Sequence, residues 1–232
     1  MGGHGDRPFE PWYHVAKTVG LPPVRLWFSW RFEELERIPA VGAALIACNH
    51  ISYLDPFANA EAVVRRGRRP RFLAKDQLFD IPVVGTALRG AGQIPVSRGT
   101  GDQTPLHRAE EALLAGEVVV VYPEGTVTDR LDSVPMGGKT GTVRLSLASG
   151  VPIIPMASWG SQSVWQKSGK GSLRFGRPIW TKIGPPLDLS NRTDEANDIE
   201  ALRAMTAELM AALTVLVEDL RSRYPKRWAV DG

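Results

Sequence analysis

The chain has 232 residues, 43% of them hydrophobic and 23% charged, which excludes a disordered or collagen-like polymer. A single cysteine, Cys48, excludes an internal disulfide framework and every multi-cysteine zinc module, and fits a reducing compartment. Twenty-eight basic against 25 acidic residues leave a formal charge of +3, too small to imply nucleic acid as a partner.

Residues 1–11 are Gly-rich and expected to be loosely ordered. Seven of the 18 aromatic residues fall in the first 32 positions: Phe9, Trp12, Tyr13, Trp27, Phe28, Trp30 and Phe32. Pro22 and Pro23 interrupt this stretch, so two short helices joined at the proline pair are expected. Trp and Tyr concentrate at membrane–water boundaries, and here Lys17, Arg25 and Arg31 are interleaved with them. Residues 1–32 therefore read as an aromatic-rich, membrane-interfacial helical segment, ahead of one domain over residues 33–232.

Beyond Phe32, short apolar runs alternate with amphipathic stretches. Strands are expected at 43–48, 71–75, 93–96, 117–122 and 151–156, with one or two more, antiparallel, within 173–183. The run EVVVVY at 117–122 is apolar on both faces, as in a covered parallel strand. Helices are expected at 56–66, 81–89, 104–115 and 142–149. The helix from Thr104 opens on Pro105, carries Leu106, Ala109 and Leu113 on one face and stops at Gly116. A last helix over 195–223 repeats apolar residues at Ile199, Leu202, Met205, Leu209, Leu213, Leu216 and Leu220. The pattern predicts an α/β fold, a mixed, largely parallel sheet covered by helices. The longest apolar run, 43–48, is far short of the ~18–20 residues that span a bilayer, and nothing near Met1 has the apolar core of a signal peptide.

Four motifs stand at predicted strand ends, where open α/β sheets present ligand sites. Asn49-His50-Ile51-Ser52-Tyr53-Leu54-Asp55 follows the first buried strand. A histidine there takes a proton from a hydroxyl near neutral pH, and an Asp five residues on is placed to orient the ring. Gly92 to Gly99 (GQIPVSRG) ends a strand in Arg98, whose fork suits phosphate. Tyr122-Pro123-Glu124-Gly125-Thr126 closes the strongest strand. Val151 to Met156 (VPIIPM) places Pro152 and Pro155 in an apolar strand, which predicts a non-central position or a special bend.

Together and in this order, NHISYLD, GQIPVSRG, YPEGT and VPIIP resemble the PlsC-type glycerolipid acyltransferases, the lysophosphatidic acid acyltransferase family, over roughly residues 43–158. The segments AKDQLFDIPVVG around Lys75 and GGKTGTVRLSLASG around Lys139 are similar too. The resemblance implies that residues 33–232 form an acyltransferase domain with His50 as general base and Asp55 as its orienting partner. It implies that Arg98, Glu124, Gly125, Thr126, Lys75 and Lys139 bind the acceptor, and that Asn49 and Pro155 shape the site or an acyl-donor pocket. Acyl-CoA or an acyl-carrier protein would be the donor and a lysophospholipid the acceptor, with no metal and no further cofactor. The work would be done at the anionic cytoplasmic face of the cell membrane, by a peripheral or monotopic enzyme. One departure stands out: Val127 follows Pro-Glu-Gly-Thr where many lysophosphatidic acid acyltransferases have arginine. That points to other lysolipids, glycerol-3-phosphate or a glycolipid as alternative acceptors.

Arg65, Arg66, Arg68, Arg69, Arg71 and Lys75 form a basic block. Contact with anionic headgroups is the favoured reading, with CoA or carrier-protein phosphates and a merely solvated face as alternatives. Cys48, inside a strand, is expected to be a small buried hydrophobe. There is no Gly-x-Ser-x-Gly elbow for a hydrolase, and Gly138-Lys139-Thr140 lacks the glycine that a phosphate loop needs at position 133. A non-catalytic lipid-binding module is the remaining alternative of a different class, but it would not need these polar groups at strand ends.

Overall fold

The structure, a computed structural model, describes residues 11–97, 99, 101–130 and 132–228. It opens on α1 (Pro11–Val15) and α2 (Leu21–Trp27), joined by a π-helical turn, Ala16–Gly20. The proline pair does not separate two helices. Pro22 and Pro23 lie in the first turn of α2, where a missing N–H leaves no helical bond unmade. The helical reading through Phe32 also needs correction: Ser29–Glu33 is a strand, β1. Trp30 and Phe32 lie on one face with rings stacked 5.9 Å apart and 4° between planes, the two-residue period of a strand.

Strand and helix then alternate as expected: β2 (Ala44–Cys48), α3 (Asp55–Arg65), β3 (Pro70–Lys75), α4 (Val84–Gly90), β4 (Ile94–Val96), α5 (Thr104–Leu114), β5 (Val118–Val121), α6 (Gly141–Ser149) and β6 (Ile153–Trp159). The chain closes with β7 (Pro178–Ile183) and α7 (Ile199–Arg223), whose first turn is capped by Asp198 accepting from Glu200 N and Ala201 N. The sheet order is β1-β7-β6-β2-β5-β3-β4. The five strands from β6 to β4 are mutually parallel; β7 is antiparallel to β6, and β1 runs parallel to β7 on the outer edge.

The two sheet faces carry the alternation of buried side chains. Leu45, Ala47, Val119, Val121 and Ile153 pack with Leu113 of α5, Val143 of α6 and Leu202, Met205 and Leu209 of α7. Ala44, Ile46, Cys48, Val118, Val120, Ile154 and Met156 pack with Ala62 and Val63 of α3. Both faces are thus covered, which is why these strands read as continuous apolar runs. The expectation for the proline-bearing strand is corrected, because β6 is central, between β2 and β7. Pro155 sits at the start of its pairing with β7, where its carbonyl accepts from Gly184 N (2.7 Å), one residue before the β7 ladder begins at Met156.

Candidate active site

Because β6, β2, β5, β3 and β4 are parallel, their carboxyl ends share one edge of the sheet, and the motif residues collect there. His50 follows β2. Asp55 begins α3, with Pro56 next in the first turn, so its carboxylate sits at the positive end of the helix. Asp55 Oδ2 lies 3.0 Å from His50 Nδ1 and accepts from the backbone N–H of Ile51 (2.7 Å) and Ser52 (2.8 Å). Its Oδ1 accepts from Ser161 Oγ (2.6 Å), just beyond β6. Asp55 is fully buried, whereas the His50 side chain keeps 12% of its surface open.

A buried carboxylate surrounded by three donors is an acceptor only, so Nδ1 carries the ring proton and Nε2 the lone pair. Among the described residues Nε2 makes no hydrogen bond. The Tyr122 ring stacks on the imidazole at 4.1 Å and 22°, and its hydroxyl accepts from Asn59 Nδ2 (3.0 Å). Burial pushes the Tyr122 phenol well above its ordinary pKa, so it acts as a neutral wall to the ring. Asn59 Oδ1 in turn accepts from Ser158 Oγ (2.7 Å), while Asn49 bonds the backbone of Ser158 in both directions, at 3.1 and 2.8 Å. Asn49 thus ties β2 to β6 directly behind His50.

Glu124 is tied to the backbone of the site. Its Oε1 accepts from His50 N (2.8 Å), its Oε2 accepts from Met136 N (2.9 Å), and the residue is buried. Burial raises its pKa while those two amides favour the charged form. With Thr128 N donating to His50 O (2.8 Å), the segment after β5 pins the histidine backbone on both sides. Each oxygen of Glu124 thus already holds one backbone amide. Gly125, at φ +71°, is where a side chain has no room: an added Cβ would sit 3.1 Å from Lys139 Cε and 3.2 Å from its Nζ. Lys139 therefore lies across the Pro-Glu-Gly turn, its own N–H donating to Pro123 O (2.9 Å). Thr126, next in the turn, is half-buried.

Lys75 is exposed at the end of β3, one strand beyond β5, and no hydrogen bond joins it to the His50 cluster among the described residues. Pro155 is buried within β6, three residues before Ser158, and lies in the sheet interior. Arg98 falls outside the described residues. Several members of the basic block are built into the fold, while Arg65 and Lys75 are exposed. Arg68, 1% exposed, donates to the carbonyls of Pro39, Gly42 and Gly116, and Arg71 forks onto Glu117. Arg65 pairs with Glu61 and Arg66 reaches Ile38 O. Tyr122 opens the Tyr-Pro-Glu-Gly-Thr motif, whereas Ser161, Ser158 and Asn59 escape a sequence reading as site residues. For the two serines the local signal is polar side chains at the exit of an apolar strand, in Ser158-Trp159-Gly160-Ser161.

The chain belongs to the acyltransferase family, whose family model, described as Acyltransferase, matches residues 29–159, more than half of its length. It is 32% identical over 172 residues to an uncharacterized protein of Mycobacterium tuberculosis, covering 68% of this chain and 45% of that one. It is 28% identical over 146 residues to the 1-acyl-sn-glycerol-3-phosphate acyltransferase of Bacillus subtilis, covering 62% of this chain and 70% of the other. The crystal structure of the 1-acyl-sn-glycerophosphate acyltransferase PlsC from Thermotoga maritima shares its fold, with a TM-score of 0.65 at 24% identity, covering 94% of this chain and 80% of that one. The chain spans about half the length of several curated relatives it matches.

Proposed function

We propose that the protein transfers a fatty acyl group from an acyl thioester to the free hydroxyl of lysophosphatidic acid, yielding phosphatidic acid. The observation that carries this reading is the His50–Asp55 pair: one imidazole nitrogen tied to a buried carboxylate that accepts three further bonds, the other without a hydrogen bond among the described residues. Nε2 takes the proton of the acceptor hydroxyl as that oxygen bonds to the thioester carbonyl carbon. The carbon–sulfur bond breaks as the adduct collapses, and the departing thiolate takes the proton from the imidazolium. No serine or cysteine nucleophile enters. Burial pushes the Cys48 thiol well above its ordinary pKa, which suits a packing role. Arg98 and Lys139 are the proposed grips for the acceptor phosphate, with Gly125 and Thr126 shaping the turn beside them.

The donor is an acyl-CoA or an acyl-carrier protein. The setting is the cytoplasmic face of the membrane, held peripherally through the aromatic N-terminal segment, where Val19, Leu26 and Trp27 expose apolar side chains. No helix among the described residues is long and apolar enough to cross a bilayer. A different acceptor hydroxyl, on another lysolipid, glycerol-3-phosphate or a glycolipid, is favoured by one feature. Val127, where arginine would follow Pro-Glu-Gly-Thr, is buried at 2% exposure and leaves no cation at that position.

A panel of acceptors assayed with one long-chain acyl-CoA, scored by product mass, separates these readings. Phosphatidic acid as the main product is expected. A product from another lysolipid alone selects the second acceptor class, and no ester from any acceptor contradicts acyl transfer.

A further inference from the structure

Ser161 holds Asp55, and the loop that continues from it touches the same turn once more, where Trp165 O accepts from Ser52 Oγ (2.8 Å) and Tyr53 N (3.1 Å). Between the short turn Ser161–Ser163 and β7, this loop joins the C-terminal turn Lys226–Trp228 around a cavity of about 330 Å³. Lys170, Arg174, Arg177 and Arg227 line it and no carboxylate does. None of the four is ion-paired among the described residues. That is unlike Arg71 with Glu117, Arg192 with Glu195 and Glu208, or Arg223 with Glu33.

Arg177 is only 6% exposed and packs its guanidinium over Trp228 at 5.1 Å. Burial lowers its pKa, the neighbouring Tyr224 hydroxyl offsets part of that shift, and the like charge of Arg174 adds to it. Its Nε and the Oγ of Ser163, which also lines the cavity, are both buried without a hydrogen-bond partner. Two such atoms are costly to leave unmet, and the exposed Lys170, Arg174 and Arg227 add positive charge that no lining carboxylate offsets, so the space suits an anion with several acceptor oxygens. Phosphate meets that description, and the planar arginine fork grips it on two oxygens.

The neighbours of the lining residues narrow the source of that phosphate. Leu173 and Phe175 alternate in sequence with Arg174 and stand 68% and 70% exposed. Trp27 packs edge-on against Phe175 at 5.7 Å and donates its indole N–H to Leu173 O (3.3 Å). Cations on the same loop as exposed apolar side chains match a lipid at the leaflet surface, with its phosphate in the cavity and those side chains against the acyl region.

We propose that this cavity is a binding site for the headgroup phosphate of an anionic membrane phospholipid, distinct from the His50–Asp55 centre. The proposal rests on the reading above that the protein works at a membrane. It is tested by co-sedimenting the full chain with phosphatidylcholine vesicles, with and without phosphatidylglycerol, at low ionic strength. The Lys170→Glu/Arg174→Glu double variant and Arg227→Glu, on an exposed turn, are compared with the parent, with folding checked by thermal melts. Acyl transfer of each is measured in detergent micelles, and inorganic phosphate is added as competitor.

At roughly fivefold per basic residue, the double variant is expected to lose at least about tenfold in partitioning onto the anionic vesicles, and Arg227→Glu a smaller share. Micellar turnover should stay at the parental level, and inorganic phosphate should not release the parent. Unchanged partitioning of both variants overturns the site. Release of the parent by millimolar inorganic phosphate overturns the lipid as its ligand and assigns the cavity to a free phosphate. Absent acyl transfer by the parent would sink the proposed reaction while leaving the partitioning result to stand or fall separately.

Discussion

Asp55 receives three donors besides the imidazole, from two kinds of constraint: a tight turn supplies the N–H groups of Ile51 and Ser52, and a distant strand end supplies Ser161. The spacing of His50 and Asp55 was legible in the sequence because both lie on one strand-to-helix turn. Ser161 was not, since 106 residues separate it from Asp55 and only the β2–β6 pairing brings them together. The backbone partners of Glu124 were hidden for a related reason. A carboxylate in a Pro-Glu-Gly turn looks free to bind a ligand, and only the fold shows two backbone amides aimed at it. Replacing Glu124 by Ala should leave two buried N–H groups unpaired, at roughly 1–3 kcal/mol each. Urea unfolding should thus show a loss of several kcal/mol, while a loss within about 0.5 kcal/mol, as for a neutral surface change, would mean those bonds do not hold His50.

The long helix α7 is anchored at two levels. Its apolar stripe reaches both the Leu45 face and, through Leu216, Val217 and Leu220, the Trp159 and Trp180 side chains. Near its C-terminus Asp219 pairs with Lys182 of β7 and with Arg223, which also forks onto Glu33 of β1. The Arg223 hydrogen bond, followed by that of Lys182, holds the Asp219 carboxyl at about 2. A folded value below the unfolded one stabilises the fold above about pH 4 and is lost as pH falls through about 2. The cluster is partly exposed, so the effect is screened by solvent. Thermal melts across that window should fall less steeply for Asp219→Asn than for the parent; parallel curves would show that the pair does not link α7 to the sheet edge. The stripe of α7 was readable from its apolar spacing, as were the covered strands. β1 was not, because Trp30 and Phe32 sit in a crowd of aromatics that hid their alternation, and an edge strand beside β7 has no continuous apolar run to announce it.

Taken whole, the sheet explains why residues more than 100 positions apart converge. Parallel strands deliver His50, Glu124 and Ser161 to the same edge, the proline motif lies at the start of β6, and the helices between them only cover the faces. Basic residues illustrate the converse. The dense block around Arg68 looked like a docking surface in one dimension, yet it locks loops at the opposite ends of β2 and β5 through the carbonyls of Gly42 and Gly116. Among the described residues, a group of cations without ion pairs lies instead in the loop before β7 and the terminal turn. The account as a whole turns on His50 removing the acceptor proton. Its most direct measurement is the turnover number of His50→Ala with the acceptor the parent prefers, the fold being verified by its melting curve. A loss of ~10²–10⁴-fold is predicted for removal of a positioned base; turnover within a few-fold of the parent would contradict the account.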